Sequence, residues 1–214
     1  MNKIKTIFIL LIGLLAGGGF AAAQQPATPE QQAKIINDIN AAAKDIRTLQ
    51  CDFTQTKDLS ILNDKMVSQG AMTFMQPANL RWSYTSPYNY TFIIHEDKVH
   101  IAKGSKRNSI DIKNNQVFQE IARLMAGSVT GRCLTQTKDF SVKVLIAEKS
   151  YIAVLTPKDK QLKKMFQTIR LIFDRARKVV TTVELTESGG DATVIEFRNV
   201  QQNKPVSEKA FSLD

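Results

Sequence analysis

The stretch Gly70–Pro87, GAMTFMQPANLRWSYTSP, decides how the rest of the chain reads. Met72, Phe74, Leu80, Trp82 and Tyr84 fall at even spacings inside two short runs, the period of strands with one apolar face. Between the runs, Gln76-Pro77-Ala78-Asn79 reads as a turn, because proline fixes φ and removes a backbone donor. Pro87 closes the second run. By pattern alone this is a hairpin of any antiparallel sheet. The order G-x-M-x-F-x-x-P-x-x-L-R-W-x-Y-x-x-P is more specific than that pattern.

Outward on the N-terminal side, Lys3 and Lys5 precede the apolar run Thr6–Leu15, and Ala21-Ala22-Ala23 supplies small residues before Gln24. This reads as a signal peptide over residues 1–23, with the mature domain at 24–214. The apolar run is shorter than the roughly 20 residues of a membrane-spanning helix. Export to the periplasm is the expectation, without a lipid anchor, because no cysteine lies near the cleavage site. Removing Lys3 and Lys5 lowers the formal charge from +9 to +7. Basic residues are scattered, as in Lys103-Lys106-Arg107 and Lys158-Lys160-Lys163-Lys164, which suits solvated faces more than nucleic-acid binding. Cys51 and Cys133 are the only cysteines. In an oxidising compartment they are candidates for a disulfide, with two separately buried thiols as the alternative.

Gln24–Pro29 reads as a flexible polar tether. From Glu30 to Leu49, Ala33, Ile36, Ile39, Ala43, Ile46 and Leu49 make a helical stripe, with Thr28 as N-cap. Strands follow at Gln50–Lys57 and Lys65–Met75, then beyond Pro87 at Tyr90–Ile94, Lys98–Lys103 and Ser109–Ile112. The period changes over Gln116–Ser128, where Val117, Phe118, Ile121, Leu124 and Met125 share one stripe of a short amphipathic helix. Strands resume at Phe140–Ala147, Tyr151–Pro157, Thr168–Asp174, Val179–Glu187 and Asp191–Asn199, with Ser188-Gly189-Gly190 as a hairpin turn. About ten strands with hairpin-length connections imply one strongly curved antiparallel sheet. No linker divides the mature chain, so a single domain is expected.

Catalytic patterns are not found. There is no G-x-S-x-G, H-E-x-x-H, phosphate loop or C-x-x-C. The two histidines, His95 and His100, flank a turn and are expected on opposite faces, so neither a metal site nor a cofactor is called. Methionines and phenylalanines are plentiful on the strands. They suit either an ordinary core or an adaptable cavity for an apolar ligand.

F-x-Q in Phe53–Gln55, the Gly70–Pro87 series, V-I-E-F-x-N-V-x-x-N in Val194–Asn203 and a final Phe211 resemble the periplasmic outer-membrane lipoprotein carriers of the LolA type. The resemblance runs over nearly the whole mature chain. It implies a mainly β, α+β fold, an unclosed β-barrel with an N-terminal helix and a short helical lid over an apolar cavity. It further implies a monomeric carrier without enzymatic activity, loaded with acylated lipoproteins by an inner-membrane ATP-driven transporter and unloaded at an outer-membrane acceptor.

On that footing Phe53, Phe74, Trp82, Tyr84, Phe92, Phe173 and Phe197 are wall candidates, and Phe118, Ile121, Leu124 and Met125 lid candidates. Members of the family often carry an arginine just before the turn proline, where it latches the lid; here Gln76 stands there. Leu80 takes the position of an apolar residue that faces the transporter. Carriage of another lipid or glycolipid, or a non-catalytic envelope interaction or sensor module on the same fold, are the alternatives.

Overall fold

The computed structural model describes residues 24–60, 64–111, 127, 132–135 and 138–213. Twelve described strands form one antiparallel sheet: β1 (Gln25–Pro26), β2 (Thr48–Leu59), β3 (Asp64–Met75), β4 (Asn79–Ser86), β5 (Tyr90–His95), β6 (Lys98–Lys103), β7 (Lys106–Asp111), β8 (Phe140–Ile146), β9 (Ser150–Pro157), β10 (Phe166–Asp174), β11 (Val180–Glu187) and β12 (Ala192–Gln202). Their spatial order is β1-β8-β9-β10-β11-β12-β2-β3-β4-β5-β6-β7, an open ladder whose two ends do not pair. The expected unclosed, mainly β architecture is what the chain forms. The long crossing is made at the centre, where β12 returns to lie beside β2 from Ala192 opposite Asp58 to Gln202 opposite Leu49.

Helix α1 (Pro29–Lys44) begins as the sequence indicates. Thr28 Oγ1 accepts the Gln31 amide, and Gln31 Oε1 accepts the Thr28 amide, a reciprocal capping box. The helix ends four residues before the strand, so Leu49 belongs to β2 and not to the helix. Its buried stripe is Ile35, Ile39 and Ala43, one position off the expected line at Ile35, while Ala33 is exposed. The stripe covers β8–β10, packing with Val144, Ala153, Leu155 and Leu171.

The expected tether is not loose. Gln25 and Pro26 pair with Ile146 and Leu145, and the Ala27 amide donates to Val144 O. From α1, Gln32 completes the same edge, donating to Val142 O and accepting from the Val144 amide. Backbone groups along the edge of β8 have donors and acceptors to spare, and this N-terminal segment uses them.

Helix α2 (Lys160–Met165) has no counterpart in the sequence expectations. Asp159 caps it, accepting the Gln161 and Leu162 amides, and Leu162 is buried in the core beneath. Arg132–Thr135 forms a single 3-10 turn near α1.

Cys51 and Cys133 do not form the expected bridge. Each is a buried thiol in a different cluster: Cys51 on β2 opposite Met72, and Cys133 on the 3-10 turn beside Ile35 and Ile39. Burial, with the charge of Asp52 adding to it, pushes the Cys51 thiol up to about 12. The folded protein is therefore expected to resist a thiol reagent at pH 8, since the thiolate is the reactive form. Two thiols per chain should titrate in guanidinium without reductant; none would show a disulfide.

Candidate functional site

The register of β2–β6 sorts side chains into rows across one face of the sheet. One row runs Phe197, Phe53, Gly70, Tyr84, Tyr90; the next runs Cys51, Met72, Trp82, Phe92, Ile101; a third runs Leu49, Phe74, Leu80, Ile94, Val99. All three face inward, so the even spacing of the opening stretch becomes an apolar interior surface. The rings meet in sequence. Phe53 lies 4.3 Å from Trp82 and 5.2 Å edge-on to Tyr84, Trp82 lies 6.0 Å from Phe197, and Tyr84 6.1 Å from Tyr90.

Six of the seven wall candidates therefore come together: Phe53, Phe74, Trp82, Tyr84, Phe92 and Phe197. Phe173 is inward too, but it belongs to the other cluster, opposite Val180 and Tyr151. Ile195 and Phe197 pack against both clusters and make the apolar face continuous across β12. Most of these side chains are deeply buried, while Tyr84 and Phe197 reach open pockets at the ends of the row. Phe74 and Phe173 have 0% and 1% of their surface exposed, and Trp82 5%. The lid candidates Phe118, Ile121, Leu124 and Met125 lie outside the described residues.

Gly70 explains the first letter of the motif. A Cβ there would stand 2.1 Å from Ser83 O and 2.5 Å from Phe53 Cζ, so the Phe53 ring lies directly over the bare backbone. The strand shifts register here, between Gln69 and Gly70. Gly70→Ala should lower the unfolding free energy by about 1–3 kcal/mol, the cost of overpacking. Urea unfolding read by Trp82 emission checks this, and an unchanged midpoint would mean that the ring is not where the structure has it.

Gln76 is used, but not on a lid among the described residues. Its Nε2 donates to Ile46 O at 2.7 Å and Lys44 O at 3.3 Å, and its backbone amide to Arg47 O. The turn is thereby moored to the end of α1, and both amide hydrogens are engaged. Leu80 does not face outward either. It is 0% exposed, packed between Phe74 and Ile94 on the inner rows, because its even position in β4 points it inside. A contact with a transporter through Leu80 does not fit this arrangement.

The histidines also depart from expectation. They lie on two strands of one hairpin, with Ile93 opposite His100 and His95 opposite Lys98. The turn between them resets the alternation, so both occupy the outer face. His95 stacks on Phe211 and His100 Nδ1 lies 2.7 Å from Ser109 Oγ. Burial, then the charge of Lys98, lowers the pKa of His100. No group of three or more candidate metal ligands occurs among the described residues.

Sequence reasoning noted Arg81 and Asn203 only as letters of motifs. Arg81 reaches across the outer face to Ala210 O and Ser212 O, and pins the C-terminal 3-10 turn Glu208–Phe211. Asn203, at φ 57, accepts the Arg47 amide and donates to Asp45 O. It ties the end of β12 to the connection between α1 and β2. The rim of the wall is polar: Tyr84 Oη donates to Gln55 Oε1 at 2.9 Å. Burial pushes the Tyr84 phenol up, while the Trp82 and Gln55 side chains pull it partly back.

Residues 44–214 match the family model described as "Outer membrane lipoprotein carrier protein LolA". An outer-membrane lipoprotein carrier protein of Methylococcus capsulatus is 24% identical over 209 residues, covering 95% of this chain and 91% of that protein. Among solved structures, an uncharacterised conserved protein of Thermus thermophilus superposes with a TM-score of 0.52 at 9% identity, over 85% of this chain and 93% of the other. The MucA/MucB complex of Pseudomonas aeruginosa gives 0.53 at 12% identity, over 86% and 61%. At such identities the two structures bear on the fold alone.

Proposed function

The chain belongs to the outer membrane lipoprotein carrier protein family, and from that premise we propose that it shields the acyl chains of lipoproteins in transit through the periplasm. The observation that carries the reading is the inward aromatic surface of β2–β5 and β12, unbroken from Phe197 to Tyr90 and continuous with the second cluster through Ile195. Each methylene left in water costs about 0.8 kcal/mol, so a protein that ferries acyl chains needs a large apolar surface to offer them.

Most of that surface is buried in the structure. Loading separates inner-row side chains that are buried against one another, and the chains then take the place of those contacts. An open ladder allows this, since its two ends are not held by strand pairing and the sheet can widen without breaking backbone hydrogen bonds. Aromatic rings and Met72 suit the exchange, because they accept varied neighbours without a fixed polar geometry. The partners that go with the reading are an inner-membrane ATP-driven transporter that supplies cargo and an outer-membrane acceptor that removes it. Residues 1–23 serve as the export signal, and the chain makes and breaks no covalent bond.

Native mass spectrometry of the protein purified from its own cell envelope tests the reading. Co-purifying triacylated lipoproteins support it. Bound free lipid alone would move the assignment to a carrier of another lipid. A protein that arrives empty and stays empty when offered lipoprotein would remove it.

A further inference from the structure

The inner aromatic row does not stay apolar to its end. Followed across the ladder from Phe53 through Gly70 and Tyr84, the register places Tyr90 and then Lys103 on the same face. Beside that row Gln55 stands opposite Ser68. With Ser86 and Tyr88 these side chains line a pocket of about 320 Å³ where the inner face reaches the turn between β4 and β5. At ~30 Å³ per water in the liquid, the space holds roughly ten waters. That is room for a compact polar head and too little for two or three acyl chains.

The pocket is rich in donors. Gln55 Oε1 accepts from Tyr84 Oη, and its amide NH₂ donates to no described residue. The hydroxyls of Ser68, Ser86, Tyr88 and Tyr90 and the ammonium of Lys103 form no hydrogen bond with any described residue. No acidic side chain lines the pocket among the described residues. A matching ligand has acceptors in excess, no positive charge, and an apolar portion that continues along the aromatic row. Glyceryl esters meet all three conditions: their carbonyl oxygens accept, the ester group carries no positive charge, and the acyl chains are attached directly to it.

We propose that the pocket bounded by Gln55, Ser68, Ser86, Tyr88, Tyr90 and Lys103 binds the acceptor-rich glyceryl-ester head of an acylated ligand while its chains lie along the Tyr84–Phe53 row. The inference rests on the carrier reading and adds to it a polar subsite that fixes which end of the ligand stays at the rim. The ester carbonyls of a triacylated peptide and the ester and phosphate oxygens of a phosphoglyceride share the chemistry it selects.

Affinities of the mature protein for three probes test it: a tripalmitoylated cysteinyl peptide, dipalmitoyl phosphatidylglycerol, and N-phenyl-1-naphthylamine, which is apolar and has no ester. Tyr88 is 67% exposed and Lys103 is exposed, so Lys103→Glu and Tyr88→Phe leave the core untouched. Lys103→Glu should weaken both ester-headed ligands about tenfold, the scale of one hydrogen bond to a charged group, and Tyr88→Phe a few-fold. The naphthylamine should change by less than about twofold, since it presents no acceptor head to these groups. A larger loss for phosphatidylglycerol would point to its phosphate, and an equal loss to the shared ester carbonyls; either supports the subsite. Unchanged affinities for the ester-headed ligands, or an equal loss of the naphthylamine, would overturn the subsite and leave the carrier reading standing. A wild-type protein that binds neither ester-headed ligand would overturn both.

Discussion

Phe53→Ala is expected to lower the unfolding free energy by about 3–5 kcal/mol, the range for emptying a buried phenylalanine site. The ring is 2% exposed and sits where three strands converge, over Gly70 of β3, against Trp82 and Tyr84 of β4 and beside Phe197 of β12. Its neighbours are held by strand pairing on both sides and cannot collapse fully into the space. Loss of the ring-to-ring geometry adds about 0.5–1.5 kcal/mol per pair to the area term. The same substitution enlarges the inner surface at its centre, so a small apolar dye should bind the variant at least as well as the parent. Chemical denaturation and dye titration on one preparation read both effects. A stability loss under about 1 kcal/mol would mean the site relaxes and the ring is not held between the three strands.

Phe211→Ala is the second large effect, on the opposite face. Phe211 has none of its surface exposed. It stacks on His95, and its turn is held by Arg81, whose guanidinium serves Ala210 O and Ser212 O, while Ser207 caps the turn by accepting the Lys209 amide. Truncating the ring should cost about 3 kcal/mol or more. It should also release the C-terminal segment, making residues 204–213 the first site of proteolytic cutting. Arg81→Met should release the same segment at a smaller stability cost, because Phe211 would still bury its ring. Equal protease resistance in all three proteins would show that this clasp does not hold the C-terminus.

The alternation of Met72, Phe74, Leu80, Trp82 and Tyr84 was enough to place the wall, because strand parity is preserved from Gly70 to Met75 and through the facing residues of β2, β4 and β5. Thr28 was legible as a cap for a similar reason: the capping box is local, complete within four residues. What parity could not carry across was a turn of unknown register, and so His95 and His100 came out on one face instead of two. Ile35 was missed because two isoleucines stand side by side at 35 and 36, and only the position of β8–β10 beneath α1 decides between them. Helix α2 left little trace beyond Asp159, since six residues hold too short a period to read. The transporter-facing role for Leu80 came from the resemblance and runs against its own even position, which puts it on an inner row, while Gln76, expected as a lid latch, moors the turn to α1. The cysteine pair failed because it depends on contacts that no spacing encodes: compartment and even number favour a bridge, but the fold puts the two thiols in separate clusters.

Trp82 is the only tryptophan of the chain and stands in the middle of the wall, which gives the central claim its own reporter. A bromine atom quenches indole emission on contact. The decisive titration uses a triacylated peptide with brominated acyl chains against its unbrominated twin. If the inner face of β2–β5 receives the chains, both bind alike and only the brominated form quenches Trp82. Tight binding of both with Trp82 emission unaffected by bromine would place the chains elsewhere on the protein and contradict the account.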